Sequence, residues 1–64
     1  MKVNGREIRL EKSLSLAEFL REEGYCEGRL AVERNGEIVR KADFGSTLLK
    51  DGDILEIVNF VGGG

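Results

Sequence analysis

The residues with the clearest chemical potential are the three glycines that end the sequence, Gly62, Gly63 and Gly64. Glycine lacks a Cβ and has few conformational restrictions, so a run of glycine packs poorly and forms a thin, extendable peptide. Such a peptide presents an unhindered terminal carboxylate and fits a channel too narrow for side chains. A frayed terminus or a cloning remnant is the alternative interpretation, and the glycines alone leave it open.

The rest of the sequence offers few catalytic groups. It contains one cysteine, Cys26, and no histidine, which excludes an intramolecular disulfide and disfavours a zinc site. It also lacks a Cys/His or Ser/His pair and a phosphate-binding glycine-rich loop. We expect Cys26 to be a small apolar filler rather than a sulfur-relay thiol, because no basic residue adjoins it. Any chemistry is therefore expected to belong to partner enzymes, with the chain itself not an enzyme.

Composition narrows the class of protein further. The 64 residues carry a net charge of −2 with both signs mixed, so a nucleic-acid-binding basic stripe is absent. The sequence has no apolar run long enough to span a bilayer and no signal-peptide pattern. We expect one cytoplasmic domain, monomeric when free, that contacts neither nucleic acid nor membrane.

Two Asn-Gly pairs predict two hairpins, because both positions of this turn tolerate positive φ. The first hairpin joins Lys2-Val3 to a strand at 6–10 through Asn4-Gly5. The second joins strands at 30–34 and 37–40 through Asn35-Gly36.

One helix is predicted over residues 16–23. Ser15 and Glu18 form a capping box at its start, and Leu14 and Phe19 are placed as a hydrophobic staple. Gly24 is expected to end it.

The last strand, at 54–61, is apolar on both faces, which is typical of a central strand. A helix between two hairpins, with the final strand between them and parallel to the first, is the α+β β-grasp fold, a mixed sheet of about five strands. We expect a β-grasp domain over 1–61 and a glycine tail over 62–64. The predicted core is Val3, Ile8, Leu10, Leu16, Phe19, Leu20, Leu30, Val32, Leu55 and Ile57, with Phe44, Leu48 and Leu49 closing its edge.

Two exposed positions are candidates for protein binding. If Leu55 and Ile57 face the helix, strand alternation turns Val58 and Phe60 to the open face of the sheet. Packing beneath the connection around Phe44 is the alternative.

Three segments together resemble the ThiS family, the ubiquitin-like sulfur carriers of thiamine biosynthesis. They are Val3-Asn4-Gly5, residues 31–39, and residues 49–58 running into 60–64. Two features differ from the family pattern: three terminal glycines replace two, and residues 40–44 lack the proline expected after the second hairpin.

The resemblance implies that Gly64 is the working residue. A ThiF-like enzyme would use ATP and Mg²⁺ to adenylate its carboxylate, and a persulfide donor such as a cysteine desulfurase would supply sulfur. The resulting thiocarboxylate would deliver sulfur to a ThiG-like thiazole synthase. Gly62 and Gly63 would thread into these enzymes, and Val58, Phe60 and Val61 would contact them. The carrier itself would hold no cofactor or metal.

Three other functions fit the same residues. The small subunit of molybdopterin synthase, MoaD, also ends in Gly-Gly. A ubiquitin-like modifier would instead join Gly64 to a target lysine. An interaction domain with an inert tail is the third.

Overall fold

The computed structural model describes residues 1–60, which form a five-stranded mixed sheet with one α-helix. The elements are β1 (Lys2–Val3), β2 (Arg6–Glu7), α1 (Leu16–Glu22), β3 (Leu30–Arg34), β4 (Glu37–Val39) and β5 (Ile54–Asn59), with single 3₁₀ turns at Glu27–Arg29 and Lys41–Asp43. The strand order is β2-β1-β5-β3-β4, with β5 parallel to β1 and antiparallel to β3. This β-grasp arrangement confirms the predicted fold and the central position of the last strand.

Both Asn-Gly turns form as predicted. Asn4 and Gly5 have φ of 51° and 84°, and Asn35 and Gly36 have φ of 53° and 87°. The first asparagine also ties its hairpin to β5, since Asn4 Oδ1 accepts the Ile57 N–H at 2.7 Å and Asn4 Nδ2 donates to the Ile57 carbonyl at 3.1 Å. A residue required by the turn therefore also holds the parallel strand pair in register.

The second hairpin is tied to the start of β5 by a buried carboxylate, Asp53. Its oxygens accept hydrogen bonds from Arg34 Nε at 2.9 Å, Asn35 Nδ2 at 3.0 Å and the Lys50 amide at 2.9 Å. Burial alone raises the pKa of Asp53, but these hydrogen bonds and the Arg34 charge outweigh it and hold the pKa below its ordinary value. The ionised form of Asp53 is thus part of the fold.

Helix α1 has the predicted signals at both ends. The Glu18 amide donates to Ser15 Oγ at 3.1 Å, and the Ser15 amide donates to Glu18 Oε1 at 2.9 Å, which completes the capping box. At the other end Gly24 has φ of 85°, and the Gly24 and Tyr25 amides donate to the carbonyls of Arg21 and Leu20. This is a Schellman termination, and it ends the helix at Glu22, one residue earlier than predicted.

The core lies between α1 and one face of the sheet. It contains Met1, Val3, Leu14, Leu16, Phe19, Leu20, Leu30, Val32, Phe44, Leu49, Leu55 and Ile57. Phe44 and Leu49 close its edge as predicted, but Leu48 is exposed. The segment is extended there, so adjacent side chains point to opposite sides and burial of Leu49 turns Leu48 outward.

Strand β2 is shorter than the predicted 6–10, and Ile8 and Leu10 are only partly buried against the core. In the register of this hairpin the Ile8 amide already bonds to the Met1 carbonyl, so β1 offers no residue opposite Arg9 or Leu10. The chain therefore leaves the sheet toward α1. Strands β4 and β5 end at Val39 and Asn59, earlier than the predicted 40 and 61, although residue 61 itself lies outside the described residues.

We predict that Asp53→Asn lowers the free energy of unfolding by about 2–3 kcal/mol near neutral pH, because the Arg34 charge loses its buried partner. A carboxylate with a lowered folded-state pKa stabilises the fold above its ordinary value of 3.8 and loses that contribution as the pH falls below it. Urea unfolding between about pH 7 and pH 3 should therefore show a shallower acid loss in the variant.

Asp51→Asn is the matched control, because Asp51 is an exposed carboxylate in the same turn. It should keep both the stability and the pH slope of the wild type. If the free energy of unfolding falls equally steeply with decreasing pH in the wild type and in Asp53→Asn, the proposed role of Asp53 is contradicted.

Candidate functional site

The structure describes the end of the central strand as far as Phe60. The Phe60 amide donates to the Arg29 carbonyl at 2.8 Å, which extends the pairing of β5 with the start of β3 by one residue. The predicted site residues Val61, Gly62, Gly63 and Gly64 lie outside the described residues, so their roles and the predicted division at 61/62 remain predictions. Phe60, the last residue that the structure describes, is thus bonded to the chain just before β3.

Val58 and Phe60 are both accessible to a partner. Their side chains are 55% and 54% exposed. The alternative in which they pack beneath Phe44 is wrong, because Phe44 is buried in the core with the helix, where its carbonyl accepts the Ala17 amide at 3.0 Å. Their role in partner binding remains a prediction.

Two further apolar side chains share this surface, and the sequence analysis did not single them out. Ile54 is 51% exposed and Ile38 is 65% exposed. Side chains alternate between the two faces along β5, and Leu55 and Ile57 are buried. Ile54 therefore lies on the same exposed face as Val58, and this alternation was the sequence signal for it. For Ile38 the signal is its pairing with exposed Glu33, which only the sheet register shows.

We call the surface formed by Glu33, Ile38, Ile54, Glu56, Val58 and Phe60 the open face. It lies on the side of the sheet opposite the core. An apolar surface of this kind, next to the end of the central strand, is suited to protein binding.

Among the side chains that the structure describes, there is no cluster of three or more His, Cys, Asp or Glu residues arranged to hold a metal ion. Cys26 is a free, exposed thiol, so the prediction that it fills apolar space is wrong. No helix in this part of the chain has the length and apolar character needed to cross a bilayer.

Comparisons with known proteins converge on one family. The sequence model of the ThiS family matches residues 1–64. The chain is 35% identical over 65 residues to the sulfur carrier protein ThiS of Bacillus subtilis and covers 98% of that protein. The crystal structure of the thiamine biosynthesis protein ThiS from Geobacter metallireducens superposes with a TM-score of 0.81 at 35% identity, covering 98% of this chain and 96% of that one.

A second group of relatives is much longer. The chain is 44% identical over 62 residues to the thiazole synthase of Paramagnetospirillum magneticum, and these residues are 97% of this chain. The chain spans only 19% of the length of the curated thiazole synthases that it matches.

The exposure of Phe60 predicts that Phe60→Ser changes stability little, because a half-exposed ring at the end of a strand loses few contacts. We expect a loss below about 1 kcal/mol in the free energy of unfolding. Phe44→Ser is the contrasting variant, since it leaves a cavity and a hydroxyl in the core and should cost about 3–5 kcal/mol. Urea denaturation measures both, and equal losses would place Phe60 in the core.

Proposed function

Because this chain belongs to the ThiS family, we propose that it is the sulfur carrier protein of thiamine biosynthesis and that it carries sulfur on Gly64 as a thiocarboxylate. The observation that carries the proposal is the family match over residues 1–64, which includes the glycine tail. The fold supports it, because β5 forms the centre of the sheet and is anchored as far as Phe60.

In the proposed reaction the chain is a substrate for other enzymes. The terminal carboxylate of Gly64 is ionised at neutral pH and is a poor electrophile, so it is first activated. A ThiF-like enzyme transfers AMP from ATP, with Mg²⁺, to this carboxylate and releases pyrophosphate. A persulfide sulfur then attacks the acyl carbon and AMP leaves. A thiol reduces the acyl disulfide formed in this step and releases the thiocarboxylate.

The proposed acceptor of the sulfur is a thiazole synthase of the ThiG type. Support comes from the thiazole synthase of Paramagnetospirillum magneticum, a fifth of which matches this whole domain. A carrier-like segment within a synthase chain favours a direct encounter when the two are separate proteins. A cysteine desulfurase is the proposed source of the persulfide, and because activation consumes ATP, the proposed location is the cytoplasm.

In the proposed reaction the residues of this chain have different tasks. The sheet and helix hold β5 in place, and Val58 and Phe60, with Val61 beyond them, contact the partner enzymes. Gly62 and Gly63 pass through the entrance of each active site, where a Cβ would meet the wall. Gly64 alone changes covalently.

If Gly63 passes through a narrow entrance, a single methyl group added at this residue should obstruct it. Gly63→Ala should leave the fold intact and reduce ATP-dependent adenylation by the partner enzyme about a hundredfold or more, because misplacing the carboxylate by about 1 Å has a cost of this size. Pyrophosphate exchange with labelled ATP measures the rate. Adenylation of the variant at the wild-type rate would refute the threading role of Gly63.

Gly45→Ala is the matched control for this experiment. A Cβ at Gly45 meets nothing within 4 Å, so the same methyl group is added in open space. The control should fold and be adenylated as the wild type is, which separates a general effect of Gly→Ala from obstruction at the tail.

A further inference from the structure

Two acidic side chains lie directly opposite each other in the middle of the open face. In the register of β3 and β5, Glu33 pairs with Glu56, and both residues are exposed. The Asn35 amide bonds to the Ile54 carbonyl and the Phe60 amide to the Arg29 carbonyl, so this pair falls on the hydrogen-bonded set of the ladder. Their Cα atoms are then about 5.5 Å apart.

The carboxylates of Glu33 and Glu56 repel each other, and no ion pair in the described part of the free protein offsets this repulsion. Like charges opposite each other across an antiparallel ladder destabilise it. Among the side chains that the structure describes, two ion pairs form, Met1 with Glu7 and Arg34 with Asp53, and neither includes Glu33 or Glu56. The negative charge on the open face thus remains available to a partner.

Apolar side chains border the pair along β5 and in β4, while β1 places Lys2 beside Ile54 on the same face. Ile54 and Val58 flank Glu56 along β5 on the same face, and Ile38 lies on the far side of Glu33 in the next strand. A partner that covers these three side chains also removes water from the two carboxylates. Removing water is unfavourable unless the partner supplies positive charge at the centre of the contact.

We propose that the open face docks a protein surface in which an arginine or lysine, ringed by apolar side chains, enters between Glu33 and Glu56. A guanidinium is the best match, because its fork of N–H donors can bond two carboxylates at once. This inference rests on the proposed function and assigns the surface to the enzyme that adenylates Gly64. That enzyme must approach the end of β5, where Val58 and Phe60 extend the same face.

The test is the binding of purified adenylating enzyme from the same organism, measured by calorimetry with Glu33→Gln, Glu56→Gln and the double variant. Each single change should weaken Kd about tenfold at low salt and raise KM in the adenylation assay. Raising the salt from about 0.05 M to about 0.5 M should weaken the wild type toward the variants, because screening removes the charge interaction.

The melting temperature distinguishes a binding role of Glu33 and Glu56 from a structural role. Replacing one glutamate removes the repulsion, so the melting temperature of each Gln variant should equal or exceed that of the wild type. Glu22→Gln on the exposed surface of α1 is the control for charge, and it should leave Kd and KM unchanged.

Two results would overturn the inference. In the first, the wild type is adenylated normally, but the double variant binds the enzyme with the Kd and the salt dependence of the wild type. The other is a lower melting temperature in the Gln variants, which would make the pair structural. If the wild type itself is not adenylated, the proposed function fails instead, and the two failures are therefore distinguishable.

Discussion

The hydrogen bonds along both edges of β5 hold this protein together. The strand joins β1 on one side and β3 on the other, so each hairpin is attached to the sheet through it. The side chains of Asn4 and Asn35 extend this bonding, since both pair with the β5 backbone, at Ile57 and Ile54. The two turns that reverse the chain thus also fix the central strand.

This constraint connects the fold to the proposed chemistry. In the proposed chemistry the partner enzymes reach the last residues of the chain, and Phe60, the last residue that the structure describes, is bonded to the Arg29 carbonyl just before β3. The open face next to this point exposes apolar and acidic side chains that add little to the stability of the free protein. Their exposure is explained if a partner covers them, and the covered core opposite supplies the stability.

The features predicted from sequence are those that depend on near neighbours. Turns at Asn4 and Asn35 follow from backbone preferences, and the helix start follows from the Ser15 and Glu18 pair three residues apart. The ion pair of Arg34 with Asp53 was not predictable in this way, because its partners are 19 residues apart and meet only after β5 enters the sheet.

The candidate site was only partly predictable for a related reason. Apolar residues on both faces of β5 indicated a central strand, and the position is confirmed, but only the face of Leu55 and Ile57 is covered because one helix forms one layer. Strand alternation along β5 was enough to place Ile54 on the open face, whereas Ile38 required the pairing with Glu33 and therefore the register. The role of Gly64 follows from the sequence and the family rather than from the described residues.

Whether Gly64 carries sulfur is tested most directly by the intact mass of the protein after incubation with ATP, the adenylating enzyme and a persulfide source, followed by a thiol-alkylating reagent. We predict a mass gain equal to the replacement of one oxygen by sulfur, with alkylation at Gly64 as well as at Cys26. An unmodified carboxylate after this treatment, with alkylation at Cys26 alone, would contradict the carrier function and favour a protein modifier or a domain with an inert tail.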